Sequence, residues 1–465
     1  MPRTVTVIPS ARRLMESLRD IGYELPAAVA DLIDNSLDAD ASSVALTVAF
    51  EGADSWIRVA DDGTGMTAQR LNEAMRYGSE RDYAEPDLGK FGLGMKTASM
   101  SQCRRLTVAT RTNPERRDIE IRRWDLDHVM DEDRWELLRL TTAEVRPETI
   151  DPLRDGVGTV VMWERLDRVL DYKLPHGLAA ERGLETLCRE IEEHLAMVFA
   201  RFLTGEARRR LPFSITVNGN PIDGWDPFAR AEKDHKKLTR QVLTLRYEGR
   251  THKVVVQPYI LPNQDQFSTQ RAWDAASGPK KWNRQQGFYF YRGGRMIQSG
   301  GWNRMRTPDE HTKLARIAID IPRAADTAFE LNVSKMRLIV PSEIRAELKA
   351  IASSVANQAR TVYDKGGRKT GVGGVKVSGT SNSTTSPPPD TPTLTVEDTP
   401  WDTTRPIAAV PGAHRATPAE GPLVAWTLVC DVVHDQLREQ PELLQRVLDR
   451  LSAVLFGGDA EALRG

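Results

Sequence analysis

Hydrophobic residues along the chain follow two spacings. In PAAVADLIDNSLDA, Val29, Leu32, Ile33, Ser36 and Leu37 recur at helical intervals and predict a helix with one buried face. Pro26 suits its first turn, where a missing N–H costs nothing. Asp31, Asn35 and Asp38 recur at i, i+4 and i+7 and share another face. Upstream, Ser10 is placed to cap a helix, ARRLMESLRDIG, that stops at Gly22. SSVALTVAF and SWIRVA alternate apolar and polar residues and predict a hairpin of strands. RRLTVATR and RDIEIRRWDLD alternate in the same way and predict antiparallel strands, with GVGTVVMWERL as a further strand.

The pattern changes near Glu181. Leu184, Cys188, Ile191, Leu195, Val198 and Phe202 form one apolar stripe at spacings of three and four. No register continues past Thr204-Gly205, so the stripe predicts a helix packed on a core rather than a free coiled coil. PFSITVNGNPI reads as a strand and a turn at Asn218-Gly219, and opens a second domain. QVLTLRY, HKVVVQPYIL, GFYFYRGGRMI and ARIAIDIP read as its further strands, and PSEIRAELKAIASSVANQARTVYD as its closing helix. From Gly366 to Pro422 the composition turns to Gly, Ser, Thr and Pro, which cannot bury enough apolar surface to fold. Beyond it, LVAWTLVCDVVHDQLREQ and PELLQRVLDRLSAVLFG read as two amphipathic helices joined at Gln440-Pro441. Two helices make too small a core alone, so they are expected to dock on a protein partner or on a second copy. The expected division is residues 1–180, 181–365, a linker at 366–422 and a helical tail at 423–465.

Composition narrows the class. A chain of 465 residues has room for two or three domains, and 40% hydrophobic with 28% charged residues is ordinary for a soluble globular protein. A net charge of −1 supplies no global field for nucleic acid. Local patches remain: Arg208-Arg209-Arg210, Lys236-Lys237, and KKWNRQQGFYFYRGGR with Lys280, Lys281, Trp282, Arg284, Tyr289, Tyr291, Arg292 and Arg295. Such a run can hold phosphates and stack bases. Its aromatics alternate as strand residues do, which favours a half-buried strand with charged edges and leaves weak DNA binding at most. The three cysteines, Cys103, Cys188 and Cys430, lie far apart, without a CxxC, which suits a reducing compartment and no zinc module. MPRTVTVIPSARR lacks a signal-peptide core and no run is long enough to span a membrane, so a cytoplasmic protein is expected.

Three polar or glycine-rich blocks carry candidate chemistry. On the first helix the Asn35 amide oxygen can ligate Mg²⁺, a hard cation. The Asp31 carboxylate, one turn away, can hold an attacking water. The second block, VADDGTGM, ends a strand. There Asp61 can accept a hydrogen bond from an adenine amino group, and Gly63 and Gly65 permit close approach of the backbone beside Met66. The third, DLGKFGLGMKTASM, opens a helix whose Gly89, Gly92 and Gly94 leave N–H groups free for phosphate, with Lys96 as an added charge. It is neither a P-loop nor a dinucleotide fingerprint. Between them LNEAMRYGSERDYAEPDLGK reads as a lid over the nucleotide.

Together the blocks resemble the N-box, G1 box and G2 lid of the GHKL ATPases, which include gyrase-type topoisomerases, heat-shock chaperones, histidine kinases, MutL and MORC proteins. Thr159 in GVGTVVMWERL resembles the strand threonine that completes their adenine pocket. LIDN, DDGTGM and a lysine after the lid glycines look most like MORC and MutL. The resemblance implies a Bergerat-type α/β domain, a mixed sheet with helices on one face, followed by a strand-rich transducer domain. It implies ATP and Mg²⁺ as ligands, slow hydrolysis and an ATP-dependent homodimer. It places Asn35, Asp61, Gly63, Gly65, Met66, Gly89, Lys90, Phe91, Gly92, Leu93, Gly94, Met95, Lys96, Thr97 and Thr159 around the nucleotide. Lys335 in LNVSKMRLIVP stands where a MutL lysine reaches the γ-phosphate; an exposed lysine after a strand is the plainer alternative. At the base position the family has glutamate and this chain has Asp31, so a scaffold without turnover stays open. A histidine-kinase-like protein kinase is opposed by the short segment ahead of the N-box, which holds none of the 8 histidines. By analogy, bacterial DNA processing or phage defence is the expected setting.

Overall fold

The alternating segments become two sheets in the computed structural model, which describes residues 9–20, 22–77, 94–115, 118–170, 174–207, 209–331 and 338–367. The first sheet contains β1 (Ser43–Ala49), β2 (Trp56–Asp61), β3 (Arg105–Arg111), β4 (Glu120–Asp125), β5 (Leu138–Leu140), β6 (Gly158–Glu164), β7 (Ser214–Val217) and β8 (Asn220–Pro221). Its order is β5-β4-β3-β6-β2-β1-β7-β8. The expected β1–β2 hairpin is present, with Leu46 opposite Val59. β7 pairs in parallel with β1, so a segment expected to open the second domain instead extends the edge of the first sheet. A parallel neighbour needs a long crossover connection, which no pattern local to PFSITV could reveal.

Alternation sorts the residues of this sheet. Leu46, Ile57, Val59, Leu106, Val108, Val161 and Trp163 enter one large core, together with residues of α1 (Ala11–Arg19) and α2 (Leu25–Asp38). Ala60, Ala109 and Val160 face the other way, onto Leu153. The helical layer therefore lies mainly on one face. α1 is capped as expected, with the Ser10 side chain accepting from the Arg13 N–H. α2 buries Val29, Leu32, Ile33, Ser36 and Leu37, the face its spacing predicts, but it also buries Ala27, Ala28, Ala30, Asp31 and Asp34, so it is enclosed on more than the one face expected. α3 (Ala68–Met75) and α4 (Gly94–Met100) flank the segment 78–93, so most of the expected lid lies outside the described residues.

α5 (Leu126–Glu132) and α6 (Pro147–Ile150) are short connectors; α7 (Leu178–Val198) and α8 (Ala200–Leu203) carry the predicted apolar stripe. α7 touches both α2 and the second sheet. That sheet holds β9 (Lys236–Lys237), β10 (Gln241–Tyr247), β11 (Arg250–Ile260), β12 (Gly287–Arg292), β13 (Arg295–Ser299) and β14 (Ala315–Ile321). Its order is β10-β11-β14-β12-β13, with β9 beside β11. GFYFYRGGRMI is thus two strands, β12 and β13, joined at Gly293-Gly294, where both residues have positive φ. α9 (Gln270–Ala276) and α10 (Lys281–Gln285) precede that hairpin, and α11 (Ser342–Gly367) closes the unit by packing Ile344, Leu348, Ile351 and Val355 on Val254, Val256, Ile317 and Ile319. Both sheets belong to one compact unit, Met1–Lys376. α11 runs to Gly367, just past the expected start of the linker at 366; the rest of the expected linker and the tail lie outside the described residues. No described helix is long and apolar enough to cross a membrane.

The aromatic-basic run is mostly internal. Tyr289 and Tyr291 are fully buried, and Arg292 pairs with the buried Asp326 at 2.7 Å. Lys281 and Arg284 remain exposed. The run does form strands, but β12 is buried on both faces and Arg292 and Arg295 are buried with it, where a half-buried strand with charged edges was expected.

Candidate nucleotide site

The first two blocks meet where α2 lies against the end of β2. Asp61 closes β2 opposite Thr159 of β6. Its Oδ1 accepts from the Gly63 N–H at 3.0 Å and the Thr159 N–H at 3.2 Å, and its Oδ2 accepts from the Ser36 hydroxyl at 2.9 Å. Burial pushes this carboxyl up from an ordinary 3.8 to about 6, against the pull of its three donors. A partly desolvated, oriented carboxyl is what an adenine amino group needs as an acceptor. Asp62, next along, does different work: it accepts from the Ser42 and Ser43 N–H groups at 2.7 and 2.8 Å and ties the loop to the start of β1.

Glycine is required at two places in this loop. Gly65 has φ +64, and a Cβ there would stand 2.2 Å from the Arg111 carbonyl oxygen. Gly158, at the start of β6, has φ +141, and its Cβ would stand 1.9 Å from the Asp61 carbonyl oxygen. Thr110 locks the same corner. Its hydroxyl accepts from the Met66 N–H at 2.9 Å, donates to the Gly158 carbonyl at 2.9 Å and lies 3.2 Å from the Thr159 hydroxyl. The G1 loop is thereby held against the ends of β3 and β6.

On α2, Asn35 is exposed, whereas Asp31 one turn earlier is 2% exposed. The free-standing amide suits a Mg²⁺–phosphate group: Mg²⁺ retains several waters and takes few protein ligands. Among the described residues no cluster of three or more His, Cys, Asp or Glu could hold a metal by itself. Asp31 Oδ2 accepts from the Tyr23 hydroxyl at 3.1 Å, and Oδ1 lies 3.5 Å from Arg295 Nη2. Burial and the neighbouring Asp31 charge push the Tyr23 phenol well above its ordinary range, so it stays a donor. Gly94 opens α4 close to Asp31: a Cβ on Gly94 would be 3.6 Å from Oδ2.

The remaining expected residues divide. Met66 and Met95 are partly buried against the core and Thr97 is buried. Lys96 is buried as well; its ammonium donates to the Ala74 carbonyl at 2.8 Å, and burial lowers it to about 8. In this arrangement Lys96 anchors α4 to α3. Gly89, Lys90, Phe91, Gly92, Leu93 and Lys335 lie outside the described residues. Sequence reasoning missed Tyr23, Asp34, Ser36 as a polar partner, and Arg295. Asp34 left a signal, an acid inside the apolar run between Ile33 and Leu37. Arg295 left none, since it is 261 residues from Asp34 along the chain.

Residues 23–159 match the family described as histidine kinase-, DNA gyrase B-, and HSP90-like ATPase. No curated protein matches the chain. The matched span runs from Tyr23, beside Asp31, to Thr159, beside Asp61, so it takes in α2, the G1 loop and the first strands of the sheet. Residues 23–159 are accordingly a GHKL-type ATP-binding ATPase domain.

Proposed function

We propose that the chain is an ATP-driven conformational switch of MutL- or MORC-like type. ATP binds with Asp61 and Thr159 at the adenine, the G1 loop at Gly63, Gly65 and Met66 beside it, and Asn35 at the Mg²⁺–phosphate group. Mg²⁺ supplies charge neutralisation at the phosphates when bound. Asp31 acts as the general base, holding the attacking water in line. Gly94 and Met95 at the start of α4, with the lid residues Gly89 to Leu93, border the phosphates, the buried Lys96 and Thr97 hold α4 in place behind them, and Lys335 reaches the phosphates from the second domain. The observation that supports this reading best is the pairing on α2 of an exposed Asn35 with a buried, oriented Asp31, beside a carboxyl at Asp61 held by three donors.

In this reading residues 1–180 bind the nucleotide, residues 181–365 transmit its state, and a linker carries a C-terminal helical tail that meets a protein partner. ATP closes the lid and brings two copies together, and hydrolysis separates them. A ligand shifts such an equilibrium only by binding one state more tightly, so closure must add contacts to ATP that the open form lacks. The setting we propose is bacterial DNA processing or phage defence in the cytoplasm. Isothermal titration with a non-hydrolysable ATP analogue and Mg²⁺, together with phosphate release from ATP, tests binding and turnover separately. Binding without phosphate release overturns the hydrolytic switch in favour of a scaffold.

A further inference from the structure

A charge taken out of water is costly unless it is paired and hydrogen-bonded. The boundary between α2 and the second sheet holds several such charges. Arg295 of β13 is 2% exposed, Asp31 is 2% exposed and Asp34 is fully buried. Arg295 Nε lies 2.9 Å from Asp34 Oδ1, and Arg295 Nη2 lies 3.5 Å from Asp31 Oδ1. One guanidinium from the second sheet thus bridges two carboxylates on neighbouring turns of the helix that carries the site. The nearby His194 on α7 is held neutral at ordinary pH, lowered to about 4 by burial and then by Arg295, so it adds no competing cation. Tyr23 meets Asp31 at the opposite oxygen, 3.1 Å from Oδ2.

We propose that Arg295 is a positioning residue for ATP hydrolysis: it aims the Asp31 carboxylate and makes turnover depend on the docking of β13 against α2. This rests on the reading of Asp31 as the general base. The planar fork explains why an arginine stands here. Its Nε edge is fixed by Asp34, which directs a second N–H at Asp31, a geometry that the single ammonium of lysine cannot reproduce. Asp34 is then the anchor and Asp31 the group being aimed. A base displaced by about 1 Å can lose about 10²-fold in rate without any change in how its substrate binds.

The test uses the full chain and reads analogue affinity and kcat separately. Arg295→Lys keeps the charge and loses the fork. It is expected to bind the ATP analogue within a few-fold of wild type while kcat falls about tenfold to 10²-fold. Arg295→Ala is expected to fall further. Should that variant fail to fold, Asp34→Asn serves, because it frees the anchor while keeping the shape; its kcat is expected to fall as well. The double variant Asp34→Asn with Arg295→Lys should be no slower than the slower single variant, since both act through one unit. Wild-type kcat in folded Arg295→Lys, or a kcat that rises, overturns the positioning role; the first outcome leaves Arg295 a structural bolt and the second makes it a restraint on Asp31. Asp31→Asn is the control. If wild type releases no phosphate, or if Asp31→Asn releases it normally, the base assignment fails and the role of Arg295 fails with it. Loss of kcat in Asp31→Asn with none in Arg295→Lys refutes the Arg295 proposal alone.

Discussion

Two carboxylates of similar chemistry have opposite surroundings in this site. Asp31 is flanked by a phenol donor and a guanidinium, whereas Asp61 meets three neutral donors and, among the described residues, no cation close enough to pair. For Asp61 the consequence is a raised pKa, and the sign of its effect follows. The folded chain holds the Asp61 proton more tightly than the unfolded chain does. The residue therefore favours folding below its ordinary value of 3.8, and that contribution is lost as pH rises through about 6. At about 1.4 kcal/mol per unit of difference, the loss is on the order of 3 kcal/mol at neutral pH. Asp61→Asn should consequently raise the Tm of the nucleotide-free protein at neutral pH and lose that advantage near about pH 4, while ATP affinity collapses. A variant that is less stable than wild type at neutral pH would show that the three hydrogen bonds, not desolvation, dominate. Asn35→Ala should abolish analogue binding in titration calorimetry, because an oxygen ligand leaves a prebuilt site. Asp31→Ala should bind within several-fold of wild type, with phosphate release lower by about 10²–10⁴-fold, as expected for a lost general base.

At the scale of elements, local chemistry was legible wherever a pattern lies within one segment. The spacing of Val29, Leu32, Ile33, Ser36 and Leu37 predicts the buried face of α2, and alternation predicts the β1–β2 hairpin. What the sequence hides is chemistry assembled across the chain. Ser36 counts as a buried helical position until β2 brings Asp61 beside it. Arg295 reads as part of a basic surface run until β13 docks against α2. The parallel β1–β7 pair is hidden for the same reason. Glycine at the G1 loop lies between these cases: DDGTG reads as a turn, but only the fold shows that Gly65 faces the Arg111 carbonyl. Gly65→Ala is expected to lower the Tm, since the strained φ adds about 1–2 kcal/mol to whatever the displaced carbonyl costs. Gly205→Ala is the comparison, at φ +73 with no atom near its Cβ, and should show the φ penalty alone. Equal losses at the two positions would mean that the G1 corner yields freely. In the second sheet, Asp326→Ala removes the carboxylate from buried Arg292 and should cost about 3–5 kcal/mol, read as a fall in denaturant midpoint.

At the scale of the whole molecule, the nucleotide helix and the second sheet share buried charge, and α7 touches both. A rigid connection of this kind lets a change at α2 reach the rest of the unit, which is what an ATP-dependent dimer requires. Binding energy can favour the dimer only through contacts made more strongly in the closed form. With the analogue and Mg²⁺ at saturation, light scattering on the full chain is therefore expected to report a mass near that of two copies, and near one copy without nucleotide. Asn35→Ala should stay at one copy under the same conditions, because it does not bind. Arg295→Lys, which binds, should still dimerise if Arg295 serves the chemical step, and should remain at one copy if the pairing with α2 is itself what closure uses. A wild-type chain that stays at one copy under saturating analogue rules out the dimerisation cycle. It would leave ATP acting within a single copy, through the boundary that Arg295 spans.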